Sequence, residues 1–327
     1  MGRGVGTPST GRSQGAEEAM ASPSGRTLRK RKSLDKDQRR LDDLAEFFQI
    51  AAEAKSVLVF SGSGMSASAG LSTFTSPGGL YERAKKRFKV KDGIMLFCDS
   101  FYRKRGKDVR KVMGEIFFEA TSSCPTLAHE ALGRLEASGR LLRHYTMNVD
   151  GLHRLVDGMT TWSGRRDCPG KTVELHGCCR EIVCTNESCP KQASDMTVEQ
   201  GKAFRRGLDV LCEGCKGAVR PKIMLYDDSQ SELITPDVVM EVMDADILGA
   251  DLILWVGISF QQSASLEYFR NVSRVIKECG REGDVAQAIV NPCEESHFNA
   301  ISGAGALLDD LKIIQVVSNA NSVLADL

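Results

Sequence analysis

The sequence has no apolar stretch of about 18 residues, and no N-terminal apolar run resembling a secretory signal. The first absence excludes an ordinary membrane-spanning helix. The second points to a reducing, intracellular setting, where closely spaced cysteines serve metals before disulfides. Net charge is absent too, with 43 Lys and Arg against 43 Asp and Glu. The molecule as a whole therefore offers a polyanion no attractive field, and direct sequence-specific nucleic-acid binding is not expected, though a local basic patch stays open. No internal repeat is present, which excludes a solenoid or propeller. Gly2 follows Met1, but position 6 is Gly6 rather than Ser or Thr, which argues against a myristoyl anchor.

What is present is an ordinary globular composition, 42% hydrophobic and 26% charged over 327 residues. That suits one large domain with a tail, or two unequal lobes. Residues 1–33 are rich in Gly, Ser, Arg, Thr and Pro and cannot bury enough surface to offset ordering entropy. They read as a disordered basic tail ahead of a domain over 34–327. Arg29-Lys30-Arg31-Lys32 is either a solvated cluster or a nuclear-import signal. It makes the nucleus the expected location, with the cytoplasm as the alternative.

Beyond the tail, Leu41, Leu44, Phe47, Phe48 and Ile50 share a helical face. Ser56 to Phe60 is an apolar β-branched run that reads as a buried parallel strand and leads into a glycine turn. Further strands are expected at Leu141–Val149, Asp251–Gly257, Gln287–Asn291 and Leu311–Val317. This alternation predicts an α/β fold: a doubly wound, Rossmann-like parallel sheet. Residues 76–119 are basic and aromatic and predict a helical module lying over the sheet. Residues 177–226 form a cysteine-rich insert.

Four constellations carry chemistry. Gly62-Ser63-Gly64-Met65-Ser66-Ala67-Ser68-Ala69-Gly70 lets backbone approach a pyrophosphate, with a following helix N-terminus supplying dipole; a tight strand-to-helix turn is the bland alternative. Thr146 to His153 ends a strand, the edge where open α/β sheets bind ligands, and offers Asn148 and Asp150; an Asx turn is the alternative. His176, beside Gly177, is a candidate base among only five histidines. The strongest signal is the pair of hooks Cys184/Cys189 and Cys212/Cys215, whose spacing predicts a closed, structural four-thiolate zinc site. Cys179 also lies at hook spacing from Cys184, which leaves a second choice for the first hook; otherwise Cys178 and Cys179 pack beside the hook or, as a lesser alternative, form a redox pair.

In this order the pieces resemble the sirtuin family of NAD-dependent protein deacylases, over about residues 55 to 317. Gly62 to Gly70 is similar to the family's cofactor loop, and Ser76 to Tyr81 to the segment after it. Met147, Asn148, Asp150, Gly151 and His153 sit where the family has Gln-Asn-(Ile/Val)-Asp-Gly-Leu-His. His176-Gly177 is similar to the catalytic His-Gly, and Val219-Arg220-Pro221 to its Leu-Arg-Pro. Gly257, Ser259 and Asn291 fall on Gly-Thr-Ser and Ile-Asn. The resemblance implies transfer of the acyl group from a protein lysine to ADP-ribose, with nicotinamide release. It gives His176 the base role, and Asn148 and Asp150 the ribose and nicotinamide side. Ser63, Ser66, Ala69, Tyr81 and Met147 join the cofactor site, Phe74 shields the reacting carbon, and Gly257, Ser259 and Asn291 hold the phosphates and adenosine. The implied partner is an acyl-lysine protein, with histones as one candidate.

Departures are local. Leu71-Ser72-Thr73-Phe74-Thr75 replaces Ile-Pro-Asp-Phe-Arg and keeps only the aromatic. Met147 replaces a glutamine, Ile258 a threonine, and Gln261-Gln262-Ser263 a usually apolar stretch. A weak NAD- or ADP-ribose-binding module and a protein ADP-ribosyltransferase therefore stand as alternatives to a deacylase.

Overall fold

The computed structural model describes residues 25–74, 78–186, 188–189, 193–228 and 231–327. The first helix, α1 (Gly25–Glu53), begins inside the segment that composition assigns to the tail; residues 1–24 of that tail lie outside the described residues. The larger compact unit starts at Asp42. Among its described residues, parallel strands β1 (Val57–Ser61), β2 (Leu141–Thr146) and β3 (Thr172–Glu174) are followed by an antiparallel set. These are β4 (Gly177–Cys184), β5 (Ala193–Asp195) and β6 (Val219–Ile223). The parallel strands β7 (Leu252–Val256), β8 (Ala286–Val290) and β9 (Lys312–Val316) complete the count. The intervening helices are α2 (Leu80–Phe88), α3 (Asp99–Thr121), α4 (Leu127–Ala137), α5 (Val198–Arg206), α6 (Val238–Gly249), α7 (Ser263–Glu278), α8 (Glu294–Ala304) and α9 (Ala320–Leu324).

The six-stranded sheet runs β3-β2-β1-β7-β8-β9, every pairing parallel. β1, β7 and β8 are buried along their whole length, which is why their sequences read as continuous apolar runs. Successive residues feed opposite faces. Val57, Val59, Leu252 and Leu254 pack beneath Phe47 of α1, Leu132 and Leu135 of α4 and Val323 of α9. Leu58, Phe60, Ile253 and Trp255 pack beneath Met243 of α6 and Phe269 and Val272 of α7. The chain leaves β1 for β2 on one side and returns to β7 on the other. The order therefore reverses between β1 and β7, opening a crevice at their C-terminal ends.

The helical module departs from expectation. α3 packs on α5, β4 and the short turn at Gly93–Phe97, so the module covers the small lobe rather than the large sheet. Phe117 of α3 joins Phe204 of α5, Ile182 and Val219 in the small lobe's own core. The small sheet, β5-β4-β6, is antiparallel. No helix is long and apolar enough to cross a membrane, among the described residues.

Candidate active site and metal centre

Two loops meet at the crevice. Ser61, the last residue of β1, donates to the Thr146 hydroxyl at 2.9 Å and pairs with buried His144 at 2.8 Å, which registers the ends of β1 and β2. Past β1 the glycine loop forms two 3₁₀ turns, Ser63–Met65 and Ala67–Ala69, and among the described residues no α-helix follows until Leu80. The expected dipole after this loop is therefore missing. The amides of Gly62, Gly64, Met65 and Ser66 bond to Val256, Gly257, Gly62 and Ser63 carbonyls, so much of the loop is braced internally. A Cβ on Gly64 would stand 2.7 Å from the Gly257 Cα, and Gly257 itself has a φ of 64°. Both positions need glycine because the β1 and β7 loops touch backbone to backbone.

A cavity of about 360 Å³ opens on this crevice. Of the cofactor residues expected from the sequence, it is lined by Gly62, Ser63, Phe74, Tyr81, Met147, Asn148, Gly257 and Ser259, and also by His176. A smaller cavity of about 40 Å³ adjoins it; Ser63, Phe74, Asn148 and Val149 line both, and Ser66 and Asp150 line only the smaller one. Phe74 thus stands between the two spaces. Gly64, Ala69, Gly70 and Asn291 line neither. Gly64 is the backbone contact already described, and Gly70 closes the second turn. Asn291 holds the opposite loop from behind, donating to the Ile258 carbonyl at 2.9 Å and accepting from the Cys293 amide at 2.9 Å.

Asn148 and Asp150 brace the site as well as face it. Asn148 Nδ2 donates to the Gly62 carbonyl at 3.0 Å and to Ser66 Oγ at 3.3 Å. Asp150 accepts from Ser66 Oγ at 2.8 Å and from the Leu152 amide at 2.9 Å. Arg180, on β4, was not foreseen. It donates to the Asp150 carbonyl and to the Ala120 carbonyl at the end of α3, both at 2.8 Å, strapping the Asp150 loop to the small lobe. His153 is buried beside Glu174, away from either cavity.

His176 presents a basic edge. A carbonyl only accepts, so the 3.1 Å contact with Met147 O places the ring proton on Nδ1 and leaves Nε2 as the acceptor. Burial pulls the imidazole below its usual pKa, partly offset by that hydrogen bond, so the neutral form prevails near pH 7. The backbone is held on the other side, where the Met224 amide donates to the His176 carbonyl at 2.9 Å.

A helix N-terminus reaches the cavity from elsewhere in the chain. Ser263, Ala264 and Ser265, the first turn of α7, line the large cavity, and the Gln262 N-cap makes no side-chain cap bond. A 16-residue helix end with small residues at its mouth fits the pyrophosphate of a dinucleotide. Sequence reading also missed the apolar wall of Phe97, Ile223, Leu225 and Tyr226. The alternating run after Arg220-Pro221 was the available signal. Thr75, at the missing arginine, lies outside the described residues. Charge reaches the smaller cavity through α3 instead: Glu119 lines it and pairs with Arg83 of α2 at 3.1 Å.

The four hook cysteines converge. Their sulfurs lie within 4.8 Å of one another, with Cys184–Cys215 at 3.5 Å and Cys189–Cys212 at 3.6 Å. A tetrahedron with Zn–S bonds of about 2.3 Å has edges of about 3.8 Å, so the set fits zinc. Backbone amides of Cys215 and Gly214 lower the Cys212 thiol, toward the thiolate a metal requires, while burial raises Cys184 beside it. Cys178 and Cys179 are fully buried outside the cluster; burial raises both thiols. Cys184 takes the first hook.

Comparison with known proteins agrees with this geometry. The Sir2 family model matches residues 62–263. An NAD-dependent protein deacetylase of Clostridium acetobutylicum is 28% identical over 221 residues, covering 66% of this chain and 81% of that protein. The NAD-dependent deacetylase sir2A of Dictyostelium discoideum is 29% identical over 74% of this chain, which spans 43% of its length. An NAD-dependent histone deacetylase of Saccharomyces cerevisiae is 24% identical over 76% of this chain and 62% of its own. A Sir2 homologue in complex with NAD superposes with a TM-score of 0.61 at 22% identity, covering 86% of this chain and 91% of its own.

Proposed function

The chain belongs to the Sir2 family, and from that premise we propose that it is an NAD-dependent protein lysine deacetylase. The acetyl group passes from lysine to ADP-ribose, nicotinamide leaves, and one water is consumed. The observation that carries the reading is His176. Its Nδ1 is fixed by the Met147 carbonyl and its ring lines a cavity at the sheet's switch point, beside Asn148, Ser63 and Phe74. NAD, when bound, supplies a ribose carbon made electrophilic by its nicotinamide leaving group. Nε2 of His176 takes a proton from a ribose hydroxyl. Phe74, between the two spaces, keeps nicotinamide and water from the reacting carbon. Asn148 and Asp150 hold the ribose and nicotinamide side. Ser63, Gly257, Ser259 and the start of α7 hold the phosphates. Zinc, on Cys184, Cys189, Cys212 and Cys215, braces the small lobe.

With NAD and an acetyl-lysine peptide, the purified protein is expected to release nicotinamide in step with deacetylated peptide. Tight NAD binding without release would identify a binding module instead. Transfer of label from NAD to protein would identify an ADP-ribosyltransferase.

Histones are the substrate we favour, because the yeast relative is a histone deacetylase. We place the protein in the nucleus on the Arg29-Lys30-Arg31-Lys32 run. Changing these four residues to alanine is expected to abolish nuclear accumulation of a fluorescent fusion. A fusion that stays equally nuclear removes the role of the run.

A further inference from the structure

Gln262 stands where three segments meet around the large cavity. Its Nε2 donates to the Tyr81 hydroxyl at 3.2 Å, and its Oε1 accepts from the Tyr226 hydroxyl at 3.1 Å. Tyr81 belongs to α2, Tyr226 follows β6, and Gln262 caps α7. One amide thus ties the helical module and the exit of the small sheet to the edge of the large one. All three residues line the cavity. Tyr226 is 37% exposed, which puts the clasp at the rim. Inside it, Phe74, Tyr81 and Phe97 form an aromatic triangle with ring centroids 5.4 to 5.7 Å apart, joined on the wall by Ile223 and Leu225.

We propose that the Tyr81–Gln262–Tyr226 clasp sets the acyl length this site accepts, restricting it to short, neutral acyl groups; this rests on the deacetylase reading. The clasp puts polar groups at one margin of an apolar aromatic wall. An acetyl group needs only the apolar compartment. A longer alkyl chain that reached the clasp would break its part-buried inner bond and leave the Tyr81 hydroxyl and the Gln262 amide nitrogen without that partner. Burial and the neighbouring Tyr226 push the Tyr81 phenol far above its usual pKa, so the hydroxyl stays a neutral hydrogen-bonding group. No Lys or Arg is among the described residues lining the cavity, so a carboxylate-ended acyl chain finds no counter-charge there.

The test uses the full-length protein, NAD and one lysine peptide carrying acetyl, hexanoyl or succinyl groups. Wild type is expected to prefer acetyl and to leave succinyl at background. The acetyl-over-hexanoyl ratio of kcat/KM is expected to fall about tenfold in Gln262→Leu. Tyr226→Phe, which removes one hydroxyl at an exposed rim, should shift the ratio the same way without a folding penalty. An unchanged ratio in both variants, or a wild type that takes hexanoyl as readily as acetyl, overturns the clasp. If wild type releases no nicotinamide with any peptide, the deacetylase reading fails and the clasp is judged by binding. Fluorescent acyl peptides then support it if their acetyl preference narrows in both variants, and overturn it if acetyl and hexanoyl peptides bind wild type equally.

Discussion

His176→Ala is expected to lower kcat/KM for an acetylated peptide by about 10²–10⁴-fold, the usual contribution of one positioned base, while NAD binding largely survives. The asymmetry follows from geometry. The ring uses Nδ1 on the Met147 carbonyl and offers Nε2 to the reaction, so removing it deletes a proton acceptor. The rest of the binding surface at Ser63, Gly257 and the first turn of α7 is untouched. Isothermal titration with NAD and initial-rate kinetics separate the two effects, and a variant as active as wild type would remove His176 from the mechanism. The pH profile gives a second reading of the same side chain. Burial holds the imidazole below its ordinary value, and the bond to Met147 offsets this only in part. A base must be neutral to act, so the acid limb of kcat/KM should lie below about pH 6.5, with activity retained as pH falls through that value. A limb above it would assign the titration to another group.

Stripping zinc, or replacing Cys212 by serine, is expected to unfold the small lobe and with it most activity. The lobe's buried core holds Phe117, Ile182, Met196, Phe204 and Val219 beside three of the four hook cysteines, so little apolar burial remains without the metal. Structural zinc sites contribute on the order of 10 kcal/mol or more to folding, far beyond what so thin a core replaces. The damage should travel to the site through β4, which begins directly after His176, carries Arg180 and ends at Cys184. Arg180 straps the Asp150 loop, and β6 pairs with β4 while the residue after it, Met224, holds the His176 carbonyl. Metal analysis is expected to find one zinc per chain, and a chelator to expose residues 184–217 to protease. Folded, protease-resistant protein without zinc would overturn the assignment.

Much of the fold was legible because its cause is local. β1, β7 and β8 are buried on both faces, so their sequences are unbroken apolar runs that identify parallel strands without neighbours in view. β3 was not legible: three residues at a sheet edge carry too little pattern. Nor was the seat of the helical module, because an apolar helix face shows that it is covered but not by what. The strand expected to run to Val149 stops at Thr146, where the Asn148 side chain turns back to the glycine loop.

The site divides along the same line. The sequence by itself pointed to a four-thiolate site built from two hooks, because cysteine pairs at short spacing have few other uses in a reducing setting, and the structure chose Cys184 with Cys189 over Cys179 with Cys184 for the first. It also put Gly62, Asn148 and Gly257 just past strands that it could read, and hence at one edge, whereas His176 follows β3, which it could not. Only the tertiary structure decided which contacts each of them makes there. It put the first turn of α7, 200 residues beyond the glycine loop, on the cavity. It placed Asn291 behind a loop instead of on the cavity, and it joined Tyr81, Gln262 and Tyr226. The physical reason is the reversal of strand order between β1 and β7. It brings residues far apart in sequence within hydrogen-bond reach, and no spacing along the chain encodes those pairings.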